Sequence, residues 1–181
     1  MEIIVIIFLI LLLLLIAVVM MLFFWSTLTT RAPFIPAPRE ILPAIVQALE
    51  LKEGSTVYDL GCGDGRVLEA CWRKQPQIKY AGLEKDWLPF WLAKWRLRQN
   101  KDIKIIRQNF LKRDLSDATH IFLYLFPEVM DQLLLKFEKE LRPGTRVISC
   151  SFRFSRKEPI SRIDLHRSKE LLGRDLHVYE F

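Results

Sequence analysis

The sequence predicts an α/β fold, a Rossmann-like doubly wound and mostly parallel seven-stranded sheet that closes on an antiparallel C-terminal pair, preceded by one N-terminal transmembrane helix. Three observations carry this. The chain opens on 23 consecutive apolar residues, Ile3 to Trp25. Short β-branched or apolar runs then alternate with helical stretches of about 10–15 residues, the signature of βαβ units. The first of those runs ends in glycines at alternate positions, Gly61, Gly63 and Gly65.

The opening run sets the chain's hydrophobicity. The 181 residues are 51% apolar, and without this run the share falls to roughly 44%, ordinary for a folded soluble domain. At the α-helical rise the run spans about 34 Å, enough to cross a hydrocarbon core of about 30 Å. A cleaved signal peptide needs a basic leading region, and the one charged side chain before the run is the acid Glu2. The first basic residues, Arg31 and Arg39, follow it. The positive-inside bias therefore puts the N-terminus outside and the rest of this single-pass chain on the cytoplasmic side. From Arg31 onward there are 27 Lys and Arg against 20 Asp and Glu, an excess that suits an anionic membrane surface and equally nucleic acid or plain solubility.

Residues 1–30 are read as the anchor and its flank, 31–55 as a linker with a first helix, and 56–181 as the principal domain. Pro33, Pro36 and Pro38 block helix continuation and stiffen the joint. Ile41, Leu42, Ile45, Val46 and Leu49 then recur at helical spacing before Gly54. Thr56 to Leu60 reads as the first strand and Arg66 to about Lys74 as a helix. The second strand runs Lys79 to Leu83. A helix to about Asn100 follows, its Trp87, Trp91 and Trp95 at i, i+4 spacing expected to pack on the sheet. Ile103 to Arg107 and Ile121 to Leu125 are strands three and four. Pro127 or Glu128 opens a helix carrying Val129, Leu133, Leu134 and Phe137, and Pro143-Gly144 turns into a fifth strand from Arg146 to Phe152. Ile160 to His166 and Leu176 to Phe181, joined near Gly173-Arg174 without a long helix, form the closing antiparallel pair.

Cys62, Cys71 and Cys150 are odd in number and lack Cys-x-x-Cys spacing, and His120, His166 and His177 add no ligand pattern. A reducing compartment and no metal are expected.

The glycine turn lies where ligands of open α/β sheets bind. In a dinucleotide fingerprint the third glycine lies five positions after the first; here it lies four after. Asp64 beside it sets a negative charge where a pyrophosphate would meet a helix N-terminus. Glu84, 19 positions past Gly65, stands where an acid holds ribose hydroxyls. A ribose without a pyrophosphate points to S-adenosylmethionine, whose cationic sulfonium and ammonium suit the carboxylates of Asp59 and Asp64. Asp59 ends an apolar strand, and burying an unpaired carboxylate there for packing alone is costly.

The stretch Val57-Tyr58-Asp59-Leu60-Gly61-Cys62-Gly63-Asp64-Gly65-Arg66, with Glu84 after strand two, resembles motif one and the acidic loop of class I, seven-strand S-adenosylmethionine-dependent methyltransferases. The likeness spans about Phe34 to Phe181. The apolar helix, then Pro33-Phe34-Ile35-Pro36-Ala37-Pro38, then Ser149-Cys150-Ser151-Phe152-Arg153-Phe154, is similar to the small membrane-anchored protein lysine methyltransferases that modify the ATP synthase c subunit and the adenine nucleotide translocase. The resemblance implies that Pro36, Gly61, Cys62, Gly63 and Gly65 line the cofactor, that Asp59 and Asp64 face its amino-acid part, and that Glu84 holds its ribose. Asn109 takes the place of the usual acid against the adenine amino group, with Phe110 beside the ring; Asp114 or Asp117 is the alternative source of that acid, against a surface role for both.

After strand four, Tyr124-Leu125-Phe126-Pro127 stands where base-amino methylases carry Asn or Asp, Pro, Pro and an aromatic. This makes a nucleic-acid substrate unlike the pattern and leaves Tyr124 and Pro127 to orient an amine, with Tyr124 also beside the cofactor. A protein lysine at or in the membrane is the favoured acceptor. A lipid, quinone or other small membrane metabolite is the second reading, and a non-catalytic membrane-tethered binding module the third.

Overall fold

The structure, a computed structural model, describes residues 2–29, 34–166 and 172–181. The chain divides into two units after residue 33. In the first, α1 (Glu2–Thr29) is a single helix whose segment Glu2–Met21, of mean hydropathy 3.8, is long and apolar enough to cross a membrane. Ile3 to Met21 are exposed throughout. Arg31 and Pro33, on which sidedness and part of the linker reading rested, lie outside the described residues.

The second unit begins at Phe34. A 3₁₀ turn at Arg39–Ile41 leads into α2 (Leu42–Leu49), with Ile45, Ala48 and Leu49 buried. There follow β1 (Thr56–Leu60), α3 (Arg66–Lys74), β2 (Lys79–Glu84), α4 (Trp87–Arg96), β3 (Ile103–Arg107), β4 (His120–Leu123), α5 (Pro127–Glu140), β5 (Arg146–Cys150), β6 (Ser161–Asp164) and β7 (Asp175–Glu180). The strands form one sheet in the order β3-β2-β1-β4-β5-β7-β6. β1 to β5 are parallel, and β7 runs antiparallel between β5 and β6. The order reverses between β1 and β4, the switch point that opens a crevice at the strands' carboxyl ends.

Two apolar layers sandwich the sheet. Side chains of α2, α3 and α4, among them Ile45, Leu68 and Ala93, pack with Val57, Tyr80 and Ile148 on one face. Met130, Leu133, Leu134 and Phe137 of α5 pack with Leu60, Leu83 and Ile121 on the other. The inner strands β1, β2, β4 and β5 are buried on both faces, as a parallel sheet covered by helices requires, whereas β3 and β6 at the two edges are partly exposed.

Three expectations are corrected. β4 stops at Leu123 because Phe126 caps α5 and Pro127 occupies its first turn, so the chain must leave the sheet between them. β5 stops at Cys150 because Ser151 takes φ +70°. The third correction is larger: α4 does not turn its tryptophans to the sheet. Pro89, Phe90 and Ala93 face inward, while Trp87, Trp91 and Trp95 are exposed. The helix runs so close to the glycine turn that a Cβ on Gly65 would stand 2.7 Å from Leu97 Cδ1 and 3.4 Å from Ala93 Cβ. That gap has room for an alanine and none for an indole.

Candidate active site

The site grows from the end of β1. Gly61 N–H and Cys62 N–H both donate to the Leu83 carbonyl of β2 (2.8 and 3.1 Å), and Gly65 N–H donates to the Cys62 carbonyl (2.9 Å). The turn is thereby pinned to the neighbouring strand. Its tightness needs positive φ, and at Gly63 (φ +56°) a Cβ would also collide with the Phe34 ring. The chain before α2 therefore lies over the glycine turn. Phe34 makes this contact, two residues before Pro36, the residue the sequence singled out; Pro36 itself is half-buried.

Three carboxylates gather here in three environments. Asp59 is 3% exposed, and its carboxyl stands well above the usual range, through burial first and then the neighbouring charges of Glu84 and Asp64. Glu84 accepts from Gly63 N–H through Oε2 (3.1 Å) and from Asp86 N–H through Oε1 (2.9 Å); burial still raises its pKa against these bonds. Asp64 is raised by burial, but the hydrogen bonds of Arg66 and the charges of Arg66 and Arg96 outweigh that and leave it lowered.

Those arginines were not foreseen. Arg66 donates to Asp64 through Nε (3.0 and 3.1 Å) and Nη2 (2.7 Å), and its Nη1 reaches the Ala37 carbonyl at 2.9 Å. Arg96 donates from Nη2 to the Asp64 carboxylate at 2.8 Å and from Nε to its carbonyl at 3.0 Å. Asp64 thus ties the pre-α2 segment, the glycine turn and α4 together. Arg96→Ala removes one of two charged partners from a nearly buried acid and should lower unfolding free energy by about 1–3 kcal/mol, read by urea titration; an unchanged midpoint would mean that Asp64 does not dock α4.

Asn109 is exposed, and its Oδ1 caps the 3₁₀ turn Phe110–Lys112 by accepting from Leu111 N–H at 2.9 Å; Phe110 is half-buried beside it. Asp117 accepts from the Tyr58 hydroxyl (2.9 Å) and Asp114 from Ser116 N–H (2.9 Å), so both acids serve the local backbone and strand. Cys62 is buried with its thiol pushed well above the usual range by burial and then by Asp59, which makes it an inert wall. His120 is held down to about 4, by burial and then Lys52 and Arg146, and hydrogen-bonds Thr119. Among the described residues no cluster of His, Cys, Asp or Glu fit to hold a metal forms.

On the β4 side of the switch point, Tyr124 is half-buried. Leu125 lies against the turn, its Cδ2 2.8 Å from where a Gly61 Cβ would stand. Phe126 and Phe152 pair with centroids 6.0 Å apart. Beyond them a cleft of about 370 Å³ is lined by Pro127, Ser151, Phe152, Arg153, Phe154, Ser155 and Glu158. The left-handed Ser151 that shapes it is held by Gly173 N–H donating to its Oγ at 2.6 Å. Residues 151–154 of the sequence motif 149–154 thus form the cleft wall next to Pro127.

Comparisons with known proteins agree with this geometry. A family model described as the ANTKMT methyltransferase domain matches residues 59–161. A protein-lysine N-methyltransferase of Saccharolobus islandicus is 32% identical over 66% of this chain and 76% of its own length. The human lysine N-methyltransferase named for the ATP synthase c subunit is 32% identical over 70% of this chain and 54% of its own, so the chain spans about half of that relative. Among solved structures, an RNA methyltransferase from Salinibacter ruber in complex with S-adenosyl-L-homocysteine superposes at TM-score 0.73 and 26% identity, over 81% of this chain and 93% of that one.

Proposed function

Since the chain belongs to the ANTKMT methyltransferase family, we propose that it is an S-adenosylmethionine-dependent protein-lysine N-methyltransferase, anchored by residues 1–30 in a membrane and acting on the cytoplasmic side on a protein at or in that membrane. One observation carries the cofactor: Asp59, buried and faced by the acids Glu84 and Asp64, at the end of the strand that leads into the glycine turn. Such an acid is stabilised by an incoming cation and destabilised by a phosphate. The relatives named for lysine N-methylation support the acceptor. The Salinibacter enzyme is named for RNA, yet Tyr124-Leu125-Phe126-Pro127 lacks the Asn/Asp-Pro-Pro-aromatic tetrapeptide of base-amino methylases, which favours a protein amine.

The bound cofactor supplies an electrophilic methyl group, so the chain's task is placement and desolvation rather than acid–base exchange. Asp59 would pair with the ligand's ammonium, Glu84 would accept from its ribose hydroxyls, and the backbone of Gly61, Cys62, Gly63 and Gly65 would line it. Asp64, neutralised by Arg66 and Arg96, holds the turn in shape. Pro36 and Phe34 close over it, while Asn109 and Phe110 border the adenine. A lysine entering beside Tyr124, Phe126 and Pro127 leaves water, which lowers its pKa and yields the neutral amine. The aromatic wall then favours the methylated ammonium.

Calorimetric titration of the full chain in detergent with S-adenosylmethionine and its demethylated product tests this. Micromolar binding, lost in Asp59→Ala and Glu84→Ala, is expected, followed by transfer of radiolabelled methyl to lysines of membrane proteins. Absence of binding by the folded chain would overturn the enzyme reading; labelled lipid in place of protein would overturn the lysine reading alone.

A further inference from the structure

The outward face of α4 is the largest feature that the site does not use. Along it, Trp87, Leu88, Trp91, Leu92 and Trp95 are exposed by 59, 60, 59, 40 and 68%. They recur at i, i+1, i+4, i+5 and i+8, one stripe over the helix's outer side. Soluble surfaces rarely carry so large a contiguous apolar patch unless something covers it.

The rim says what covers it. Between residues 85 and 101 there are five basic residues, Lys85, Lys94, Arg96, Arg98 and Lys101, against the single acid Asp86. Arg96 is turned inward to Asp64, but Lys85, Lys94, Arg98 and Lys101 are exposed, as is Arg107 of β3. The Arg107 guanidinium lies 3.8 Å from the centroid of the Trp87 ring and that of Arg98 lies 4.7 Å from Trp95. Indoles bordered by long cationic side chains are what the boundary between hydrocarbon and anionic headgroups selects: an apolar body sinks, a polar N–H stays wet, and the cations reach the phosphates. A second copy meeting this face would press one basic rim against another.

We propose that the Trp87–Trp95 side of α4 is a lipid-contact surface that seats the domain on an anionic bilayer, with Lys94, Arg98 and Arg107 on the headgroup phosphates. This rests on the reading of α1 as a membrane anchor, because tethering raises the local concentration of lipid so that a weakly binding face becomes occupied. The inner side of the same helix packs Ala93 and Leu97 against Gly65 and holds Asp64 through Arg96. Seating α4 therefore sets the height and tilt of the glycine turn above the lipid, and selects acceptor lysines by their depth.

The test is nitroxide labelling of the full chain in vesicles of phosphatidylcholine with a minority of phosphatidylglycerol. Labels are placed one at a time by Trp91→Cys, by Glu138→Cys on the exposed side of α5, and by Leu12→Cys in α1; the native Cys62, Cys71 and Cys150 are buried. The label at 91 should show a several-fold higher ratio of oxygen to nickel-chelate accessibility than the label at 138, and Lys94→Glu with Arg98→Glu should collapse that ratio. A lipid-embedded label at 12 with an aqueous label at 91 overturns this inference and leaves the anchor standing. Aqueous readings at both overturn the two together. Strong spin–spin broadening at 91 assigns the face to a second copy, and also overturns the proposal.

Discussion

Gly63→Ala should lower the stability of the folded domain by about 2–4 kcal/mol, from two separable sources. The residue sits at φ +56°, where any side chain is strained, and its Cβ would enter the Phe34 ring. The second source is removable. Phe34→Ala in the same chain should recover the steric share and leave about 1–2 kcal/mol of backbone strain, while Phe34→Ala alone is mild because the ring is 42% exposed. A double-mutant cycle by urea unfolding measures this coupling directly. Additive effects of the two changes would show that Phe34 does not rest on the turn in solution. The same variants separate stability from binding. Gly63→Ala should abolish measurable titration with S-adenosylmethionine, and the double variant should remain defective, because the Gly63 N–H must stay aimed at Glu84 for the ribose acid to be in position.

What the sequence revealed of this site and what it hid divide along the range of the interactions. Strand order, the glycine spacing and the acids Asp59 and Glu84 are local features: a strand followed by a turn followed by a helix shows its order in any short window. Arg96 was invisible for the opposite reason, and Arg66, although local, because spacing alone does not show which way its side chain turns. They act on Asp64 from 2 and 32 positions away, and nothing in a run of basic residues distinguishes an arginine folded inward from one in water. Helical spacing identified the tryptophan face of α4 correctly as a face; it carried no information on which way it points. Two apolar stripes share that helix, and the choice was made by clearance, since only Ala93 and Leu97 fit against Gly65. Asn109 also caps the turn that follows it, its side-chain oxygen accepting from Leu111 N–H, a local role that the sequence reading did not include.

Asp59→Asn should stabilise the unliganded domain and weaken its ligand binding, two effects of opposite sign from one atom's change. An acid whose pKa is higher folded than unfolded holds its proton more tightly when folded. Its contribution to stability is therefore fully present at low pH and is lost as pH rises from the ordinary carboxylate range through the raised folded value. Asp59 is such a group, raised by burial and then by Glu84 and Asp64, so above the ordinary carboxylate range its ionisation opposes folding. The amide keeps the shape without the charge. Its gain should be about 1–3 kcal/mol at neutral pH, a rise in thermal midpoint of roughly 2–4 °C per kcal/mol for a chain of this size, and should vanish toward pH 4 where the native acid is protonated as well. Titration of the same variant should show S-adenosylmethionine affinity reduced at least tenfold, about 1.4 kcal/mol, because the ligand's ammonium loses the charge that was kept waiting for it. A variant that is less stable at neutral pH and binds as before would make Asp59 a structural carboxylate satisfied by the fold. The expected pair of signs marks Asp59 as serving the ligand rather than the fold: it burdens the empty domain and is relieved by a cationic ligand.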